Sequence, residues 1–307
     1  MIWWILGGIA AFVCIFILVT AYVCYKITFY SAPRAPKEEI NLPQGKIYEP
    51  YWGNMEKWAK EVRQMPCQEV SVTSFDGLTL RGRFYEYAPG APIELMFHGY
   101  RGSSERDMPG GVQRCFKLGR SALLVDQRGG GRSDGNTITF GVKEHQDCLT
   151  WVDFIVKQFG SDVKIILTGI SMGASTVLMA AGKPLPSNVI GVLADCGFSS
   201  AREIIQIVIR HLKLPVKLAY PFVRLGARIF GGFSLESYSP MEAMKTCTLP
   251  VIFIHGEDDD FVPCDMSRAM YQACSSRKKL VTFPSAGHGL SCLVDPERYY
   301  AELRDFY

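Results

Sequence analysis

Metal-binding spacings are missing from this chain of 307 residues: it has five histidines and ten cysteines, yet no Cys-x-x-Cys and no His-Glu-x-x-His. No metal site is therefore expected, and no cofactor is implied. No Gly-Lys-Ser or Gly-Lys-Thr follows a glycine-rich loop, so Gly129-Gly130-Gly131 between Arg128 and Arg132 reads as a strand-to-loop corner rather than a phosphate cradle. The formal net charge of +3 is too small to argue for nucleic acid, and no basic-aromatic pattern suggests it. The cysteines lack the paired spacing of a small disulfide-stapled domain, which suits a reducing compartment.

Charge is absent altogether from Met1 to Tyr25. The run is rich in Ile, Val, Phe and Ala and exceeds the ~20 residues that cross a bilayer. Trp3, Trp4, Tyr22, Tyr25 and Tyr30 lie towards its ends, where amphipathic rings prefer the interface. A cleaved signal peptide wants a basic start, a shorter apolar core and a small-residue cleavage site. None stands out, so residues 1–25 read as an uncleaved single-pass anchor. No Lys or Arg precedes the span while Lys26, Arg34 and Lys37 follow it, which places the body in the cytoplasm. A signal-anchor with an extracytoplasmic body is the alternative.

Residues 26–66 read as a membrane-proximal linker, with prolines at 33, 36, 43 and 50 limiting helix until Trp52 to Arg63. There Trp52, Met55, Trp58 and Val62 recur at helical spacing, as in a short helix packed on the body. From Cys67 a hairpin begins: Glu69 to Thr73, an Asp76-Gly77 turn, then Leu78 to Phe84. Apolar strand-like runs then alternate with helical patterns, as a mostly parallel sheet requires. Ser121 to Val125 and Val189 to Ala194 are buried strands, and Val142 to Gln158 is a helix that turns Cys148, Val152 and Ile155 to the sheet.

Gly169-Ile170-Ser171-Met172-Gly173 directly follows the apolar run Val163 to Thr168 and precedes the helix-prone Ala174 to Ala181. Strand, Gly-x-Ser-x-Gly and helix in that order make a nucleophile elbow. The serine must hold a strained backbone to raise its hydroxyl clear of the sheet, and the flanking positions need glycine because a Cβ would crowd their neighbours. The following helix aims its first amides at the same spot, so the Met172 N–H can face an oxyanion.

A serine nucleophile needs a base, and the base an orienting carboxylate. His288, in the small-residue loop Pro284 to Gly289 after the strand-like Lys279 to Phe283, is the candidate base. His145 lies in a helix, His211 in a basic apolar segment, and His98 and His255 precede glycines at strand ends, where they shape turns. The buried strand Leu249 to Gly256 leads into Glu257-Asp258-Asp259-Asp260, which lacks the alternating spacing of a calcium loop. Asp259, three residues before Val262-Pro263, is the chosen acid; Asp258 and Asp260 stay open. A second oxyanion donor belongs in the loop after an earlier strand. Pro92 to Phe97 is such a strand, and Gly99 lets the chain turn the Tyr100 amide towards Ser171.

Taken together, His98-Gly99-x-x-Gly102, Asp126 to Ser133, the elbow, His255-Gly256-x-x-Asp259-x-x-Val262-Pro263 and Gly287-His288 resemble the α/β-hydrolase superfamily. Within it they are similar to small bacterial membrane-anchored esterases and serine aminopeptidase-like hydrolases. The resemblance covers roughly Cys67 to Tyr307. It implies an α/β-hydrolase fold over residues 67–307, with a mostly parallel sheet flanked by helices and a small helical cap at about 198–248 after the sixth strand. It also implies a Ser171, Asp259, His288 triad with the Tyr100 and Met172 amides as oxyanion hole. The extra aspartates leave the acid's register open.

The expected activity is a serine hydrolase cleaving carboxylic esters or related acyl bonds. The same machinery serves peptides or thioesters, including lipid thioesters, because the pocket sets the substrate. A non-catalytic scaffold or lipid-binding protein is the alternative from another class. The segment Phe198 to Thr248 is both apolar and basic, and reads as a lid that admits acyl chains or lies against anionic lipid.

Overall fold

The computed structural model describes residues 1–32 and 40–307, so Arg34 and Lys37 lie outside the described residues. Eight strands form one sheet in the order β1-β2-β4-β3-β5-β6-β7-β8. They are β1 Gln68–Thr73, β2 Thr79–Tyr85, β3 Ile93–Phe97, β4 Ser121–Val125, β5 Ile165–Ile170, β6 Val189–Asp195, β7 Val251–Gly256 and β8 Lys278–Phe283. β1 and β2 make the expected hairpin and β2 pairs antiparallel with β4; all later pairings are parallel. Every residue of β3, β4 and β7 is buried, which follows from aliphatic runs covered on both faces. The hairpin loop closes through Ser74, whose hydroxyl accepts the Leu78 amide at 2.8 Å, and Gly77 takes the φ of +90° that the Asp-Gly step supplies.

The parallel register sets Phe97 beside Gly169, Ile170 beside Asp195 and Gly256 beside Phe283. The loops after β3, β5, β6, β7 and β8 therefore emerge along one edge, where open α/β sheets bind ligands.

On one face lie α5 (Glu144–Phe159), α6 (Met172–Ala181) and α10 (Cys264–Ala273), with Trp151, Val177 and Met270 packed on strand residues such as Leu95, Leu167 and Phe253. The expected Cys148, Val152 and Ile155 are buried in that layer. On the other face, α2 (Trp52–Gln64) and α4 (Pro109–Lys117), the latter entered through the short α3 (Ser104–Asp107), cover Met96 and Leu124. Beyond them α11 (Ser291–Val294) and α12 (Pro296–Phe306) cover Leu193, Ile252 and Ile254.

A further apolar cluster lies off the sheet. It joins α7 (Ala201–His211) and α8 (Val216–Ile229) to the C-terminal end of the long N-terminal helix α1 (Ile2–Thr28), with Phe140, Met172 and Phe233 between them; α9 (Pro240–Thr246) returns the chain to the sheet. α1 is long and apolar enough to cross a membrane. Its first four turns stand clear of the body, while Ala21, Tyr25 and the following Phe29 are buried.

Candidate active site

Ser171 sits between β5 and α6 with φ 55° and ψ −120°, a conformation that L-residues hold only under constraint. The constraint is visible in its neighbours. A Cβ on Gly169 would lie 2.2 Å from the Gly173 carbonyl, and one on Gly173 would lie 2.0 Å from the Phe97 oxygen. The two glycines let the turn fold tightly against β3.

His288, in the loop after β8, reaches Ser171: its Nε2 lies 2.9 Å from Ser171 Oγ, and its Nδ1 lies 2.6 Å from Asp259 Oδ2. Of the three adjacent aspartates, Asp259 is buried while Asp258 and Asp260 are exposed, Asp260 at the edge of the cavity beneath Ser171. Burial opposes charge on Asp259, but hydrogen bonds from His255 and His288 and from the Val262 amide outweigh it and hold the carboxyl down at about 2. The ionised Asp259 fixes the proton of His288 on Nδ1, which leaves Nε2 to accept the Ser171 hydroxyl.

His255 was read from sequence as a turn residue, and the structure gives it a further part. Its Nε2 lies 2.8 Å from the Val262 carbonyl and 3.2 Å from Asp259 Oδ2, and its Nδ1 faces Ser267 Oγ at 2.7 Å. With Nε2 protonated, His255 donates to both oxygens and props the Asp259 loop from behind. The Phe261 and Val262 amides donate to Asp259 Oδ1 at 3.0 and 2.8 Å. All four lone-pair directions of the carboxylate are thereby engaged.

On the opposite side, Gly99 lies against the serine: a Cβ there would stand 3.5 Å from Ser171 Cβ. Tyr100 follows it in the loop, and Met172 opens α6, where its amide has no acceptor within the helix. The Asp126-Gln127 pair, read only as part of a corner, ties this loop down. Gln127 donates from Nε2 to the His98 carbonyl at 2.6 Å and accepts from Thr176 of α6 at 3.1 Å, while its amide donates to His98 Nε2 at 3.0 Å. Asp126 accepts the Ser104 and Arg132 amides at 2.8 and 3.0 Å. The Tyr100 phenol points away from the serine and donates to the Thr28 carbonyl at 2.8 Å.

A cavity of about 790 Å³ opens beneath Ser171 and His288. Its walls include Met96, Met108, Ile170 and Leu193, and its outer wall is the segment 41–48 with Met55 and Trp58 of α2. Glycines make the room, since a Cβ on Gly110 would strike Trp58 at 2.7 Å and one on Gly111 would strike Met96 at 2.3 Å. No described residue of the expected cap, 198–248, lines it. The reason is packing: the α7–α8 hairpin spends its apolar face on α1, and the linker takes the covering role.

Buried Asp195 also lines the cavity, with Tyr299 donating to its Oδ2 at 2.9 Å; burial raises its carboxyl to about 6. Cys196, Asp259 and His288 offer donor atoms within 4.8 Å of one another. Asp259 and His288 direct theirs at each other, and burial holds the Cys196 thiol far above its ordinary value, so the set does not fit a resident metal.

A family model described as alpha/beta hydrolase fold matches residues 95–239, and one described as serine hydrolase (FSH1) matches residues 190–290. The Bacillus subtilis protein YqkD is 27% identical over 62% of this chain, and the match spans 62% of that protein's own length. Protein bem46 of Schizosaccharomyces pombe is 27% identical over 79% of this chain and 77% of its own. Thiohydrolase aneE of Aspergillus aculeatus is 33% identical over a shorter stretch, 40% of this chain and 39% of its own. Among solved structures, an esterase from Pyrococcus furiosus superposes with a TM-score of 0.69 over 91% of this chain and 97% of its own, at 20% identity, a likeness of fold.

Proposed function

Because the chain belongs to the α/β-hydrolase superfamily, we propose that it is a membrane-anchored serine hydrolase in which Ser171 is the nucleophile, His288 the general base and Asp259 the acid that orients it. The observation that carries this reading is the continuous hydrogen-bonded chain Ser171–His288–Asp259, built from three separate strand ends beside one cavity.

Ser171 Oγ attacks the substrate carbonyl carbon as His288 Nε2 takes its proton, and the charge that develops on the carbonyl oxygen is received by the Tyr100 and Met172 amides. Each such donor typically contributes ~3 kcal/mol of transition-state stabilisation. His288 then protonates the leaving group, Asp259 stabilising its cation, and the acyl-enzyme is hydrolysed by water activated on the same nitrogen.

The predominantly apolar lining supports an acyl portion bound beneath Ser171. A carboxylic ester is the substrate class proposed first. A thioester is the second reading, favoured by the likeness to a thiohydrolase. Lys26 at the inner end of α1, and the ten cysteines all present as free thiols, support a catalytic body on the cytoplasmic side.

The test uses solubilised protein with a fluorophosphonate probe and p-nitrophenyl esters and acyl thioesters of graded length. Wild type is expected to label and turn over, and Ser171→Ala to do neither. Folded wild type that fails to label at neutral and alkaline pH returns the chain to the scaffold or lipid-binding class.

A further inference from the structure

The α7–α8 hairpin is joined to α1 by unusually close backbone contact. A Cβ on Gly226 of α8 would lie 2.4 Å from the Ala21 carbonyl oxygen and 3.1 Å from the Tyr25 nitrogen. Phe230 packs on Tyr22 and Phe233 on Phe29, with ring centroids 5.1 and 5.3 Å apart. Gly226 thus meets Ala21 and Tyr25, Phe230 at the end of α8 meets Tyr22, and Phe233 beyond the Gly231-Gly232 turn meets Phe29, so the last turns of α8 and the residues after it lie against the C-terminal part of α1. The turn that joins α7 to α8, Leu212 to Pro215, is exposed throughout.

That exposed turn carries an unusual surface. Leu212, Leu214 and Leu218 are 61%, 50% and 68% exposed, against the rule that large aliphatic groups cluster inside. Around them stand the exposed Arg210, Lys213 and Lys217, none of which joins an ion pair among the described residues. From Ile204 to Leu235 the sequence contains no Asp or Glu and five Arg or Lys. Aliphatic side chains at a tip, cations around it and no anion nearby are what the boundary between acyl chains and anionic headgroups attracts.

We propose that the tip of the α7–α8 hairpin, Arg210 to Leu218, is a second membrane contact that seats in the headgroup region of an anionic bilayer beside α1. Leu212, Leu214 and Leu218 enter the acyl boundary while Arg210, Lys213 and Lys217 meet lipid phosphates. Two attachments, one spanning and one interfacial, then fix the orientation of the body, which a single helix followed by a linker would leave free to swing. The proposal rests on the reading of α1 as a membrane span and is independent of the hydrolase chemistry.

Full-length protein carrying benzoylphenylalanine at one position would be reconstituted into nanodiscs of phosphatidylcholine, with or without phosphatidylglycerol, irradiated and analysed by mass spectrometry. Three positions serve: Phe12 in the span, Leu214 at the tip, and Tyr87, which lies beside the start of β4 at the opposite end of the sheet. Lipid adducts are expected at 12 and 214 and not at 87. The yield at 214 should rise with phosphatidylglycerol and fall about five-fold for each cation reversed in Lys213→Glu and Lys217→Glu. Adducts at 12 without adducts at 214 overturn the interfacial contact and leave the anchor intact. Adducts at neither overturn both. A cross-link from 214 to a second copy of the chain assigns the tip to self-association instead and overturns the lipid proposal.

Discussion

At Gly173 a single methyl group would lie 2.0 Å from the Phe97 carbonyl oxygen, so Gly173→Ala must displace either β3 or the elbow. If Ser171 is the nucleophile as proposed, an ångström of misplacement there costs about 10²-fold in rate. That is the loss in kcat/KM expected, measurable beside an unchanged circular dichroism spectrum. The aspartates permit a sharper comparison. Asp259→Asn keeps the shape but removes the charge that sets the His288 tautomer, and kcat should fall about 10⁴-fold. Asp258→Asn and Asp260→Asn change exposed groups and should stay within about two-fold of wild type. Sequence alone left three registers open, because the facing of a loop side chain depends on what stands opposite it. His255 escaped notice for the same reason: a histidine before glycine at a strand end shows nothing of the carboxylate four residues later until the loop folds back.

At the scale of elements, α1 and α8 approach backbone to backbone at Gly226, so Gly226→Leu should force them apart. Overpacking of this kind typically costs about 1–3 kcal/mol, read as a lower midpoint of thermal unfolding in detergent. The last turn of α1 is also held by the loop after β3, through the Tyr100 phenol on the Thr28 carbonyl and Arg101 on the Ile27 and Tyr30 carbonyls at 2.7 and 3.0 Å. The strands, the helix after the elbow and the helix bearing Trp151 were legible because aliphatic periodicity reports burial directly. The apolar segment 198–248 was legible as helix but not as to its partner. A hydrophobic stripe demands a cover and does not name one; here the cover is α1, and the cavity beneath Ser171 is walled instead by the polar, proline-bearing segment that sequence read as linker.

For the whole molecule, two buried carboxyls pull stability in opposite directions as pH changes. Asp259 ionises at about 2 in the fold and near 3.9 when unfolded, so its contribution is complete above about pH 4 and is lost as pH falls through 2. Asp195, raised to about 6, opposes folding once pH exceeds its unfolded value, with the full penalty present above 6. Asp195→Asn should therefore stabilise the protein at pH 7.5 by on the order of 2 kcal/mol and have little effect below pH 4. Thermal unfolding at the two pH values checks it. The side of the membrane is tested by an impermeant thiol reagent on intact cells, with a cysteine at Lys46 and competing exposed thiols removed; a cytoplasmic body stays unlabelled.

The sequence by itself determined the α/β architecture, the elbow at Ser171, the histidine of the late loop and the apolar N-terminal helix, because each follows from local rules of burial periodicity, steric demand at glycine and missing charge. Tertiary structure decided which aspartate meets His288, that His255 and Gln127 brace the site, that the linker walls the cavity and that the hairpin lies along α1. Those outcomes are set by contacts between segments far apart in the chain. Their energies depend on shape and orientation that no local pattern records.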